Sequence, residues 1–452
     1  MIAIFRLFFP YLLTLFFVVK GIRKPLFLLG IPFLMFMSES IFFDGVKLFK
    51  IPGSLFFCLP FIWLVLLWIV SMFIQNNKEK SDLDNKRTLN VLDFFIIGLL
   101  IISFVGLGLT LVNFSIITDV FKEFIILISL FAGYFIIRTW FSNNKPDLWV
   151  SFLNSLVIIN TIASFLYILH QGLHINIYNL EEYSTELFQG EEITRTFYFM
   201  PQLLPFSIVF ILVFKDKRSF TFYLLLFVNL LAVFISYTRS SIIIAAIIFL
   251  FYFLLTGLKK GRIGLVLKNV LLFLFVGVIG LLILSKILPA NTRYFMNRFS
   301  ELSETSATSG PNNIEYRFLM TRIIISNIEE DKKILGMGPV TENQLPLVRP
   351  MRQATSDMVW AGAIFRWGFV GLIFFILLYS FSVIKAYYFF MNAKGVLSDL
   401  ALMLLLFIIS QILESFVSWT FMSGHGFTTG LWYFALLSSL LGFNKENELI
   451  VD

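Results

Sequence analysis

Apolar and polar residues alternate along this chain in long blocks. Apolar blocks fall near 2–19, 26–43, 53–75, 91–113, 118–137, 150–170, 197–214, 220–236, 240–257, 268–288, 357–384, 397–417 and 427–443. Most have about the 20 mostly apolar residues that a helix needs to cross roughly 30 Å of hydrocarbon. Backbone amides cannot stay unpaired in lipid, so each block is expected to close its own hydrogen bonds as a helix. The pattern therefore predicts an all-α fold, a polytopic transmembrane bundle of about 12–13 spans. One bundle is a better division of 452 residues than three soluble domains, because the apolar blocks recur from one end to the other.

The polar connections sort into two sets. Lys and Arg collect between Lys78 and Arg87, Arg138 and Lys145, Lys215 and Arg218, Lys259 and Lys268, and Lys385 and Lys394, on alternate connections. Short cytoplasmic loops carry that bias, so these five are predicted to lie inside. The segments 171–196, 237–240, 289–356 and 418–426 then face outward. The N-terminus is outside if both 2–19 and 26–43 cross, and inside if one does not. The segment 289–356 is the one clear shift in composition, and a connection of that length in a compact fold is usually functional. It divides the chain into an N-terminal bundle (1–288), a large outward loop (289–356) and C-terminal spans (357–452). Within the loop, Ile314, Phe318, Ile325 and Ile328 recur at roughly helical spacing after Pro311, which predicts an amphipathic helix over the mouth of the bundle.

Composition narrows the picture. Hydrophobic residues make up 58% of the chain and charged residues 14%, against about 25% charged in a soluble domain, which excludes a soluble globular protein. The net charge of +7 lies scattered over short loops without interleaved aromatics, so nucleic acid is not an expected partner. The single Cys58 precludes a disulfide within the chain. The first 19 residues carry only Arg6 and no small-residue cleavage site, and read as a retained span. His170, His174 and His425 are too scattered for a metal site, and no Walker loop, dinucleotide glycine fingerprint or zinc helix occurs, so neither metal nor nucleotide cofactor is indicated.

What remains is arginine at the outward ends of spans, where a charge near lipid needs a partner. Arg239 lies in Ile235-Ser-Tyr-Thr-Arg-Ser-Ser241 between two long apolar blocks, either as a turn residue on lipid phosphate or as an anion site helped by its hydroxyl neighbours. Arg195 opens the next span outward of Pro201, with Glu191 and Glu192 as alternative partners. In the large loop Arg317 and Arg322 lie on the expected helix, Arg317 on the side nearer the membrane. Guanidinium suits phosphate because its planar donors bind two oxygens at once and keep their charge. Gly336-Met-Gly338-Pro339 offers a helix stop or, alternatively, backbone amides for an anion. Asp357 is either a helix cap or a general base for an acceptor hydroxyl, and His425 is a second possible base. With no nucleotide site, an enzyme on the outer face would need a substrate that arrives activated. A polyprenyl diphosphate-linked sugar does so, and arginines could stabilise the diphosphate as it leaves.

In this arrangement the chain resembles the O-antigen ligase and polymerase superfamily of bacterial membrane glycosyltransferases, over about residues 190–380. The resemblance rests on Arg195 with Pro201, Ser236-Tyr-Thr-Arg239-Ser-Ser, Glu315-Tyr-Arg317, Ile334-Leu-Gly-Met-Gly338, Ser356-Asp357 and Arg366-Trp-Gly-Phe-Val-Gly371, in that order around one large loop. It implies a GT-C-like architecture in the bacterial inner (cytoplasmic) membrane, with the active site facing outward. It also implies inverting, metal-independent transfer of glycan from undecaprenyl diphosphate, with Arg195, Arg239 and Arg317 on the diphosphate. Ligases of this family carry a histidine where this chain has Ser356-Asp357, which moves the base role to Asp357 and favours a polymerase of O-antigen or capsule over a ligase to lipid A core. Membrane lipids, a chain-length regulator and a flippase are the partners such a polymerase implies. A flippase or other transporter is the alternative from another class. It should carry ionisable residues at mid-span and two related halves, neither of which is visible here. A non-catalytic scaffold predicts that single arginine changes are silent.

Overall fold

A computed structural model describes residues 2–30, 89–115, 117–173, 175, 182–188, 191–196, 203–236, 238–262, single positions between 264 and 296, 313–338, 359–416 and 426–447. Eleven helices are laid out in it: α1 (Ile2–Arg23), α2 (Val91–Phe114), α3 (Ile117–Ser142), α4 (Pro146–Leu173), α5 (Leu203–Phe214), α6 (Phe220–Ile235), α7 (Arg239–Lys259), α8 (Asn313–Asn327), α9 (Val359–Asn392), α10 (Gly395–Glu414) and α11 (Gly426–Asn447). Five of the described helices are long and apolar enough to cross a membrane: Val91–Phe114, Pro146–His170, Ser240–Lys259, Trp360–Asn392 and Gly395–Glu414. The fold is thus the all-α polytopic bundle that the apolar blocks predict. Of the blocks 26–43 and 53–75, only residues up to 30 are described, where Pro25–Leu29 forms a 3-10 turn.

One element departs from the sequence reading. Within the connection 171–196, Glu182–Phe188 (β1) and Glu191–Thr196 (β2) pair as an antiparallel hairpin, with Phe188 opposite Glu191 and Ser184 opposite Arg195. The β-formers Tyr183, Thr185, Ile193, Thr194 and Thr196 favour the strands, and pairing of Phe188 with Glu191 leaves the two-residue link typical of tight hairpins.

The core lies between closely packed helices. α10 packs against α5, α7 and α9, α3 against α11, and α4 against α6. Phe206, Phe407, Trp432 and Tyr433 form its aromatic centre, with the Phe206 and Trp432 ring centroids 5.0 Å apart and those of Phe407 and Tyr433 5.3 Å apart, both edge-to-face. A polar layer crosses the bundle between α4, α5 and α6. Asn160 donates to Ser207 at 2.7 Å, and Asn229 donates to Thr161 and to the Leu225 carbonyl, each at 2.8 Å. Such amides join helices because nothing in lipid would replace their partners.

Hydrogen bonds fix which helix ends lie together. Lys259, the last residue of α7, donates to the carbonyls of Phe390 and Ala393 and to Ser398, at the turn from α9 into α10. A cation on those helix-end carbonyls is favoured by the dipole. Lys217, in the turn between α5 and α6, donates to Tyr252 of α7 and stacks on its ring. Burial pushes the Lys217 ammonium below its usual pKa, while Asp399 acts in the opposite sense. At the same end α2 begins in a capping box, in which Asn90 and Asp93 bond reciprocally. Asp93 is fully buried. It pairs with Arg138 at the end of α3 (3.1 Å) and accepts from Tyr134 (2.8 Å) and from Ser438 of α11 (3.1 Å). This Lys-rich end ties α2, α3, α7, α9, α10 and α11 together.

Candidate functional site

The opposite end is where β2 leads toward α5, α7 starts, α9 starts and α10 stops. Its described architecture begins with α8. Ile324 and Ile328, one turn apart, are buried against Ala361, Ile364 and Phe365 at the start of α9. The helix lies where the apolar spacing predicts, but its inner stripe is shifted: Phe318, expected to face inward, is 72% exposed. The 3-10 turn Glu330–Lys332 follows, with Lys332 paired to Glu329 and Lys333 to Glu330. Glu329 holds the exposed Lys332 ammonium above its usual pKa.

Residues 333–338 then clasp a break in α9. At Gly368 the backbone leaves helical geometry (φ 64°, ψ −165°), which frees carbonyls before the break and amides after it. Met337 N–H donates to the Phe365 carbonyl (2.7 Å) and Gly338 N–H to the Arg366 carbonyl (3.0 Å). In return, Phe369 and Val370 N–H donate to the carbonyls of Lys333 (3.0 Å) and Ile334 (3.2 Å). Four groups that would each cost several kcal/mol unpaired in an apolar setting are thereby satisfied. Glycine is required at the crossing. Gly336 has φ +80° and a Cβ there would come 2.6 Å from the Arg366 carbonyl carbon, while a Cβ on Gly368 would come 2.2 Å from the Ile334 oxygen. Asn113 of α2 donates to the Met337 carbonyl at 3.1 Å and holds the clasp to the bundle. The anion cradle considered for Gly336-Met-Gly338 is therefore overturned: the amides of Gly336, Met337 and Gly338 are all engaged by protein carbonyls.

The arginines nominated by sequence ride on elements of this end. Arg195 sits on β2 opposite Ser184, Arg239 is the first residue of α7 after the Thr238 cap, and Arg317 is the fifth residue of α8. All three elements lie at the end of the bundle opposite the Lys-rich turns. Arg322 is exposed on α8. Asp357 and His425 lie outside the described residues.

A group that the sequence reading missed closes α10. Glu414, its last residue, is 6% exposed and accepts from the Gln411 amide at 3.4 Å, its one hydrogen bond among the described residues. It lies near enough to Tyr379 of α9 to act electrostatically on that hydroxyl, which in turn accepts from Tyr433 at 3.2 Å. Just beyond it, Phe416 packs on Trp360 of α9 with centroids 5.7 Å apart. The Trp360 indole N–H is buried without an acceptor among the described residues. The sequence signal was an acid closing a 20-residue apolar run with no basic residue near it. No group of His, Cys, Asp and Glu suited to a metal ion occurs among the described residues.

Among curated proteins none matches the chain. A family model described as O-antigen ligase matches residues 222–376, which span α6, α7, α8, the glycine clasp and the broken first half of α9. With its apolar helices, the chain is a multi-pass membrane protein. Over the matched segment, which bears Arg239, Arg317 and the clasp, the chain is similar to the O-antigen ligase family.

Proposed function

We propose that this protein is a membrane glycosyltransferase that polymerises undecaprenyl diphosphate-linked repeat units into O-antigen or capsule on the outer face of the bacterial cytoplasmic membrane. The observation that supports the reading is that the Arg195-, Arg239- and Arg317-bearing elements share the end of the bundle opposite the Lys-rich turns. Positive connections mark the cytoplasmic side, so the arginine end faces outward. In this reading the loop 289–356 is a unit of its own between the two sets of spans, and α8 carries Arg317 over the bundle.

The chemistry follows from the substrate. The acceptor hydroxyl oxygen attacks the anomeric carbon from the face opposite the diphosphate, which gives inversion. The carbon–oxygen bond to the diphosphate breaks, and its electron pair leaves with the lipid diphosphate. Arg195, Arg239 and Arg317 neutralise that departing charge, a role that needs no metal. The hydroxyl proton passes to a carboxylate. Asp357 is the one the sequence offers, and α10 supplies another. A chain-length regulator and a flippase would act beside such an enzyme.

Purified protein supplied with lipid-linked repeat units tests this. Arg239→Ala should stay inserted and lose about 10²–10³ in turnover, the scale of removing one transition-state donor. Equal product ladders from wild type and variant would end the proposal. A ligase to lipid A core is the second reading, favoured by the description of the matching family. A parallel reaction with lipid A core acceptor separates the two, and movement of lipid-linked glycan without bond formation would instead reveal a transporter.

A further inference from the structure

Three carboxylates among the described side chains are buried or half-buried in the packed spans, and they differ in company. Asp93 is paired with Arg138 at 3.1 Å. Asp399 lies in the field of Lys217, Lys259 and Lys260. Both are at the Lys-rich end. Glu414 has neutral company only among the described residues: the Gln411 amide and the hydroxyl of Tyr379. An ionisable group placed in a membrane bundle is costly to keep and marks function by default.

Its level in the bundle follows from the helices. Lys259 at the end of α7 bonds the start of α10, so the two run antiparallel. α7 has 21 residues and α10 has 20, nearly equal lengths at 1.5 Å per residue. Measured from the Lys259–Ser398 bond, Glu414 therefore stands about one helical turn inward of the first residue of α7, Arg239. Phe416 and Trp360 lie just beyond it. An exposed aromatic face near a carboxylate and an amide is the usual chemistry for holding a sugar ring, since the ring covers its C–H face and the polar groups bond its hydroxyls. Phe416 is 57% exposed and packs on the half-buried Trp360 ring.

We infer that the outward end of α10 is the acceptor-sugar subsite, where Trp360 and Phe416 hold the ring and Glu414 takes the proton of the attacking hydroxyl. This rests on the glycosyl-transfer reading above and deepens it by giving Glu414, in place of Asp357, the role of general base. As the hydroxyl oxygen bonds to the anomeric carbon, its proton moves to a Glu414 oxygen, and the diphosphate leaves with the electron pair. No cation competes for those oxygens among the described residues.

The test uses the full-length protein in detergent or nanodiscs with lipid-linked repeat units as donor and acceptor. Glu414→Gln is expected to lower kcat by about 10²-fold or more, the lower bound for losing a general base, with the donor KM changed less than about threefold. Glu414→Ala should regain part of its turnover when formate is added, which a purely structural role would not produce. Should Gln at 414 prevent insertion, Glu414→Asp takes its place, with an expected loss of about tenfold in kcat at unchanged donor KM. An active wild type with turnover unaltered in the 414 variants, or a Glu414→Ala enzyme deaf to formate, overturns the inference alone. A wild type that forms no glycosidic bond overturns the reading beneath it as well, so the two failures are distinguishable.

Discussion

The two ends of this bundle solve the same problem in different ways. At the Lys-rich end, charge joins helices. Asp93 collects a guanidinium, a phenol, a serine hydroxyl and a backbone amide from two other helices and its own cap, and Lys259 seals the turn between α9 and α10. At the opposite end the backbone does the joining. Residues 333–338 lend their own amides and carbonyls to the break in α9, and three left-handed glycines let the strands approach. The difference teaches where polar side chains remain available for a ligand. An end closed by charge pairs has few left, whereas an end closed through backbone groups leaves Glu414 and the arginine-bearing elements uncommitted to that closure.

The comparison breaks most visibly at Asp93. Asp93→Ala strands the Arg138 guanidinium beside a buried site and should cost about 3–5 kcal/mol, read as a lowered melting temperature in detergent and a reduced inserted yield. Gly368→Ala attacks the other end. The positive φ and the 2.2 Å approach of the Ile334 oxygen should cost about 1–3 kcal/mol, felt mainly as faster proteolysis within 289–356 while the α2–α3–α11 contacts persist. If instead Gly368→Ala melts the whole bundle as Asp93→Ala does, the two ends are not separable. Asn229→Leu removes an interior layer common to both and should cost about 0.6–1.7 kcal/mol by equilibrium unfolding. Glu330→Gln removes an exposed pair to Lys333 and should shift stability by under about 0.5 kcal/mol, the control that separates surface charge from buried charge.

The spans were legible because lipid imposes a single length and a single hydrogen-bonding solution. Every described block that the pattern marks begins and ends within several residues of a helix. The α8 helix was legible too, yet not its inner face. Phe318 and Ile324 have similar apolar character, and only the position of α9 decides that Ile324 is buried and Phe318 is not. The clasp was hidden for a related reason. Gly336-Met-Gly338 advertises free amides only if nothing nearby needs them, and the need arises from a helix break at Gly368, some thirty residues away in sequence. Arg195, Arg239 and Arg317 stood out because charge near lipid is rare. Glu414 was missed because an acid at the end of an apolar run reads as an ordinary helix end until packing shows it covered.

The clasp also constrains how the chain is made. Residues 333–338 precede 365–370, so a nascent chain delivers the complementary edge before the segment that requires it. A broken helix released alone into lipid would expose two carbonyls and two amides to hydrocarbon. Arrival in this order lets the second half of the hydrogen-bonded pair dock as it emerges, and makes lateral integration of α9 conditional on the upstream strap already being in place.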